Sequence, residues 1–193
     1  MSNLILTDVD GVLLNWEYSF GCWMQTHGHR IVEGGQFKYN IGKRYTISEE
    51  QGRQLIKYFN ESAAIGFLPP LRDAMYYVKK LHEQHGYVFH AITSLSLDAN
   101  AQRLREMNLK KLFGETVFEK IICLDTGADK DEALEKYRNS ELYFIEDKII
   151  NAETGMNMGL KSLLMEHSHN MDYRGTVPIV KNWKEIYEII TGE

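Results

Sequence analysis

From Tyr87 onward the chain alternates short apolar runs with amphipathic stretches, a rhythm that few architectures can accommodate. Residues 87–92, 120–124, 142–145 and 160–165 are strand-length runs of β-branched, aromatic and aliphatic residues. Between and after them, residues 98–107, 129–138, 149–158 and 183–190 carry helical patterns. Strand–helix repeats of this length predict βαβ units, hence an α/β fold: a Rossmann-like parallel sheet with helices on both faces. An earlier run, Leu4-Ile5-Leu6, supplies the first strand. Residues 15–69 interrupt the rhythm and predict a small helical cap inserted after strand 1. Within them, residues 16–27 form an aromatic-rich helix stopped by Gly28, and residues 28–47 read as a loop. Ser48 with Gln51 has the spacing of a capping box, opening a helix through Leu55, Ile56 and Phe59. Pro69-Pro70 suits the start of a helix over 71–85. The predicted division is a core of residues 1–14 and 70–193 and a cap of residues 15–69.

The first strand runs into Asp8-Val9-Asp10-Gly11. Side chains two apart on an extended backbone point the same way, so Asp8 and Asp10 converge where a parallel strand ends. Carboxylates that close repel unless a proton or cation intervenes, and a hard divalent ion such as Mg²⁺ suits oxygen ligands near phosphate. Three later strand ends carry complementary groups. Thr93-Ser94 offers hydroxyls and backbone N–H groups to an anion. Lys130 is the one cation in the acidic stretch 125–132, and Glu146-Asp147 with Asn151 completes an acidic cage. Singly, each reads equally well as a polar turn, a helix cap or a solvated charge. Four in this order, each at a strand end, point to one site.

Composition narrows the partners. A net charge of -5 over 193 residues argues against general affinity for nucleic acid or anionic membranes. No apolar stretch is long enough to cross a bilayer. Met1-Ser2-Asn3 runs directly into a strand, which predicts no secretory leader. Cys22 and Cys123 lie in unlike contexts and predict reduced thiols, in keeping with a cytoplasmic protein.

Taken together, Asp8-Val9-Asp10-Gly11-Val12-Leu13, Thr93, Lys130 and Glu146-Asp147 resemble the four motifs of the haloacid dehalogenase (HAD) superfamily, over nearly the whole chain. The resemblance implies an Mg²⁺-dependent phosphatase in which Asp8 attacks phosphorus and Asp10 is the general acid/base. It implies metal ligation by Asp8, the carbonyl of Asp10 and Asp147, with Glu146 and Asn151 orienting the metal shell. Thr93, Ser94 and Lys130 would bind phosphate. Glu146-Asp147 stands where Asp-Asp is common, which leaves open which acid touches the metal. The segments 67–74 and 151–160 are similar to those of 5'(3')-deoxyribonucleotidases, which implies a nucleoside monophosphate as the small phosphorylated substrate. Trp16 is then the foremost base-stacking candidate, followed by Phe20, Trp23, Phe37 and Tyr45. The alternatives are a phosphatase of sugar phosphates or other small molecules, and a catalytically silent binding protein. His167 and His169 read as incidental loop residues near the pocket rim.

Overall fold

The structure is a computed structural model that describes residues 3–193. Strands β1 (Leu4–Thr7), β2 (Val88–Thr93), β3 (Phe118–Cys123), β4 (Tyr143–Glu146), β5 (Lys161–Met165) and β6 (Ile179–Val180) form one parallel sheet. Their order is β3-β2-β1-β4-β5-β6. Alternation along β1 sends Ile5 to one face and Leu6 to the other. Ile5 and Phe89 pack with helices α4 (Ala74–His85), α5 (Ala99–Phe113) and α8 (Trp183–Thr191). Leu6, Ile92 and Phe144 pack with Leu134 of α6 (Asp131–Glu135) and with Met158, which follows α7 (Ile149–Asn157). The three-layer α/β sandwich expected from the strand–helix rhythm is therefore present.

β1 lies between β2 and β4, with Thr7 level with Ala91 on one side and Ile145 on the other. The strand order reverses there, and open parallel sheets form their crevice outside the carboxyl ends at such a point.

The helical insertion after β1 contains α1 (Trp16–Thr26), α2 (Ile41–Tyr45) and α3 (Glu49–Asn60), with 3-10 turns at Gly35–Phe37 and Ala63–Phe67. The capping box is formed: Ser48 Oγ accepts from Gln51 N–H, and Gln51 Oε1 accepts from Ser48 N–H, both at 3.1 Å. The chain leaves and re-enters the core side by side. Asn15 N–H donates to Pro69 O at 2.9 Å and Leu71 N–H to Leu13 O at 2.8 Å.

Four stretches differ from their sequence-based expectations. Residues 28–47 include α2, because Gly42 and Gly52 let α2 and α3 touch through their backbones: a Cβ on Gly52 would lie 3.3 Å from Gly42 N. Pro69-Pro70 form the return crossing instead of a helix start, so α4 begins only at Ala74. The helix expected at 98–107 continues to Phe113, since Leu109 and Phe113 extend its buried face. The one expected at 129–138 shortens to Asp131–Glu135. Strand β6, two residues long, is too short to show a period. Among the described residues no helix is long and apolar enough to cross a membrane. Both cysteines are free thiols, and burial pushes the Cys123 thiol up to about 11.

Trp183 ties the distant α8 to the segment following β1. Its indole is fully buried, sits edge-on to Phe89, and donates from Nε1 to Val12 O at 2.8 Å. Trp183→Phe keeps most of the apolar contact but orphans a buried carbonyl, which costs about 1–3 kcal/mol. Urea unfolding is expected to show that loss as a lower midpoint with an unchanged m-value; an unaltered midpoint would refute the importance of this bond.

Candidate active site

Four connections converge on the crevice. The first follows β1. Asp8 N–H continues the ladder by donating to Ile145 O at 2.8 Å, which fixes its carboxylate beside the mouth of β4. Gly11 then turns with φ +79°, and a Cβ there would collide with the Asp147 carboxylate. Glycine is required both for that conformation and for the close approach.

Lys130, directly ahead of α6, is 2% exposed and places Nζ 2.7 Å from both Asp8 Oδ1 and Glu146 Oε2. Glu146 is fully buried and also accepts from the N–H groups of Asp147 and Lys148 and from Asn151 Nδ2. Its oxygens are thus occupied by protein donors. Asp147 has no such donors nearby beyond His169 Nε2 at 3.8 Å from Oδ2. Asp8, Glu146 and Asp147 each bring a carboxylate oxygen within 4.8 Å of the others.

With all three carboxylates ionised, the single ammonium would leave a surplus of two negative charges in a buried volume. Burial and the neighbouring Glu146 push Asp8 up to about 8, against the pull of Lys130. Burial, Glu146 and Asp8 likewise raise Asp147 well above the ordinary carboxylate range. Burial would raise Glu146 too, but the Lys130 ammonium and the bonds it accepts hold it below its usual value. An all-oxygen donor set with a charge deficit of two fits a hard divalent cation such as Mg²⁺. Asp147 is the acid left open to such an ion, while Glu146 holds Lys130.

Thr93 ends β2 with its Oγ1 buried and without a hydrogen-bond partner, and the residue lines the same cavity. An orphaned hydroxyl here is a donor awaiting a ligand oxygen. Ser94 differs: its Oγ donates to Ala128 O at 2.7 Å and ties down the loop that carries Lys130. The Asp10 carboxylate is gripped by Arg105, with Nη1–Oδ1 at 2.6 Å and Nη2–Oδ2 at 2.9 Å.

The insertion roofs a cavity of about 640 Å³ lined by these groups and, from above, by Trp16, Tyr39, Ile41 and Ile56. Of the expected aromatics, Phe20 and Tyr45 are buried in the insertion's own core and Trp23 packs against it. Phe37 is exposed and does not line the cavity. Trp16 lines it, with one ring face stacked on Phe20 at 4.5 Å and its Nε1 donating to Asn60 Oδ1 at 2.9 Å. Asn60 in turn donates to Leu95 O at 2.9 Å, fastening the insertion to the sheet layer.

Two groups escaped sequence reasoning. Arg105 occupies the apolar stripe of α5 four residues from both Ala101 and Leu109, and that misplaced charge is its only mark in the sequence. His167 and His169, expected to be incidental, brace the site: His167 Nε2 lies 2.6 Å from Gly11 O and His169 Nε2 3.3 Å from Asp147 O. Burial pushes His167 down to about 4 and lowers His169 as well.

No family model matches the chain. It is 32% identical over 146 residues to a 32.4 kDa protein of Enterobacteria phage T4 encoded in the Gp30–rIII intergenic region. The match takes in 71% of this chain and 51% of that relative, so the chain spans about half its length. Among solved structures, a haloacid dehalogenase-like hydrolase of Streptococcus pneumoniae superposes with a TM-score of 0.67 at 14% identity, over 98% of this chain and 99% of that one. L-2-haloacid dehalogenase of Xanthobacter autotrophicus, with chloropropionic acid covalently bound, gives 0.65 at 11% identity, over 100% and 99%. CbbY of Rhodobacter sphaeroides, in complex with phosphate, gives 0.61 at 16% identity, over 96% of each chain. Sheet order, insertion point and these superpositions agree: the chain has the haloacid dehalogenase fold.

Proposed function

We propose that the protein is an Mg²⁺-dependent phosphomonoester hydrolase working through an aspartyl-phosphate on Asp8. The observation that carries this reading is the buried Asp8 carboxylate, 2.7 Å from Lys130 and beside the open Asp147 and the orphaned Thr93 hydroxyl. Asp8 attacks phosphorus, and Asp10 delivers a proton to the departing oxygen. Asp10 then takes a proton from the water that attacks the phosphoaspartate, and Asp8 is released. Thr93 Oγ1 and the third proton of Lys130 donate to phosphoryl oxygens. Asp8, Asp147 and the Asp10 carbonyl would hold Mg²⁺, which would supply the positive charge needed for phosphate to approach the carboxylates. Glu146 and Asn151 act from behind, holding Lys130 and the Asp147 loop.

A nucleoside monophosphate is the substrate class this reading favours. The cavity is wide enough for a base and sugar above the phosphate site, and Trp16 keeps one ring face on its lining. Sugar phosphates are the second reading, supported by the polar and charged groups, Asn40 and Lys57 among them, on the same roof. Phosphate release is to be measured on nucleoside 5'- and 3'-monophosphates and on sugar phosphates, with Mg²⁺ and with EDTA. Metal-dependent turnover that disappears in Asp8→Asn is the expected result. Trp16→Ala is expected to weaken nucleotide binding by about 1–3 kcal/mol, read as a higher KM. Sugar phosphates turned over faster, with KM indifferent to Trp16, would discard the stacking role; no turnover of any substrate by folded protein would discard the hydrolase.

The charge surplus also fixes a pH dependence. In metal-free protein Asp8, and with it Asp147, retains protons that the unfolded chain has already lost, so stability falls as pH rises toward about 8. His167 and His169, lowered from 6.5, act in the opposite sense, but only below that value. The window is therefore from pH 6.5 to about 8. Thermal melts in EDTA are expected to decline across it, and Mg²⁺, which keeps both acids ionised, to abolish the decline. Identical profiles with and without Mg²⁺ would contradict metal binding at this cluster.

A further inference from the structure

Arg105 is the most deeply buried charge in the structure that the reaction as written does not use. It is fully buried, its Nε has no partner, and its two Nη groups grip both oxygens of Asp10. A helix face shared with Ala101, Leu109 and Phe113 is a costly place for a guanidinium, and such a charge is kept there only by a partner. The partner, Asp10, is 22% exposed and lines the cavity. Each carboxylate oxygen has two lone pairs, and Arg105 takes one from each. Among the described residues no other protein donor takes the remaining lone pairs, and Asp10 is one of the residues that line the cavity.

The backbone of Asp10 is fixed as well. Val9 O accepts from the N–H groups of Val12, Leu13 and Leu14, and Gly11 N–H donates to Leu14 O at 2.9 Å. With backbone and side chain both pinned, Asp10 has one orientation, and that orientation is set by α5. This helix belongs to the core and follows directly from β2, which delivers Thr93. The same helix supports the returning end of the insertion: Asn108 Nδ2 donates to Leu68 O at 3.0 Å, and a Cβ on Gly66 would lie 3.1 Å from Leu104 Cδ2.

We infer that Arg105 is a positioning residue for the acid/base step, aiming the Asp10 carboxyl at the leaving-group oxygen through a bidentate grip supplied by the core and not by the insertion. The inference rests on the reading of Asp10 as acid/base. It predicts dependence on the leaving group. An alkoxide needs its proton as the P–O bond breaks, so a misdirected Asp10 slows that step. A nitrophenolate departs without one. A merely structural arginine would affect both substrates alike.

The test compares wild type, Arg105→Met, Arg105→Lys, Asp10→Asn and the Arg105→Met/Asp10→Asn double variant, with Mg²⁺, on an alkyl phosphate and on p-nitrophenyl phosphate. Arg105→Met is expected to lower kcat on the alkyl phosphate by about 10²-fold or more, the range of a lost general acid, with KM little changed. On p-nitrophenyl phosphate the loss is expected to be many-fold smaller. Arg105→Lys, which cannot reproduce a fork, is expected to recover little of the alkyl activity. The double variant removes both charges, leaves no orphan in the core, and is expected to match Asp10→Asn. Equal losses on the two substrates, or an alkyl kcat unchanged in Arg105→Met while Asp10→Asn is impaired, would overturn the positioning role. Asp10→Asn without effect, or wild type silent on both compounds, would remove the acid/base reading first and this inference with it.

Discussion

The ion pairs that Lys130 makes with Asp8 and Glu146, all three side chains buried, set the condition the rest of the fold has to meet. Buried ions are costly, and a pair recovers that cost only with close geometry and further hydrogen bonds. Glu146 has both, with two backbone N–H groups and Asn151 besides the lysine. Asp8 and Asp147 do not, and they carry the whole of the surplus negative charge. Such an arrangement is poorly suited to stability, and on the proposed reading it is a cation and a phosphate that relieve it. The strand order explains how it persists. With β1 seated between β2 and β4, hydrogen bonding along the full length of the sheet holds the two acidic loops side by side.

The roof of the cavity is attached from two sides. On one flank Asn60 joins Trp16 to Leu95, and Ser96 Oγ donates to Glu61 at 2.7 Å. On the other, Ser168 Oγ donates to Gln36 O at 2.7 Å, and the Tyr39 ring tilts onto His169. The loop at 167–170 meets the insertion above and the Gly11 and Asp147 backbones below. These contacts hold the roof over the cavity that Asp8 lines. The paired crossings at Leu13–Asn15 and Pro69–Leu71 are the two points at which the insertion joins the core.

What was legible in the sequence follows from the range of each interaction. The parallel sheet was legible because periodicity and apolar runs are local. Asp8, Thr93 and Glu146-Asp147 were legible because each stands at the end of a recognisable strand, and Lys130 because it is the one cation in the acidic stretch between a strand and a helix. The choice between Glu146 and Asp147 was not, since neighbouring acids share one sequence context and differ only in what surrounds them after folding. Arg105 lies in mid-helix, far in sequence from Asp10, and nothing local distinguishes it except a charge on an apolar stripe. The α2 segment was misread because Gly42 lowers helix propensity while permitting the close packing that stabilises the helix. The aromatic group around Trp16 was recognisable as a cluster. Which ring keeps a free face depends on Phe20 covering one side of Trp16, a tertiary fact.

The fold alone does not choose a reaction, since a haloacid dehalogenase and a phosphate-bound protein both superpose on this chain. Particular residues carry the distinction. Displacing a halide from carbon requires a carboxylate nucleophile but no proton for the leaving group, because halide is stable as the free anion. A second carboxylate at Asp10, gripped at both oxygens by a buried guanidinium, is not needed there to protonate a leaving group. The same carboxylate answers the main difficulty of phosphomonoester cleavage, the expulsion of a basic alkoxide. Burying an arginine in the apolar face of α5 to hold it costs stability, and a cost of that kind is most readily explained where the orientation of one proton matters. On the proposed reading, Arg105 matters to phosphoryl transfer through its hold on Asp10, a contact the sheet alone does not provide.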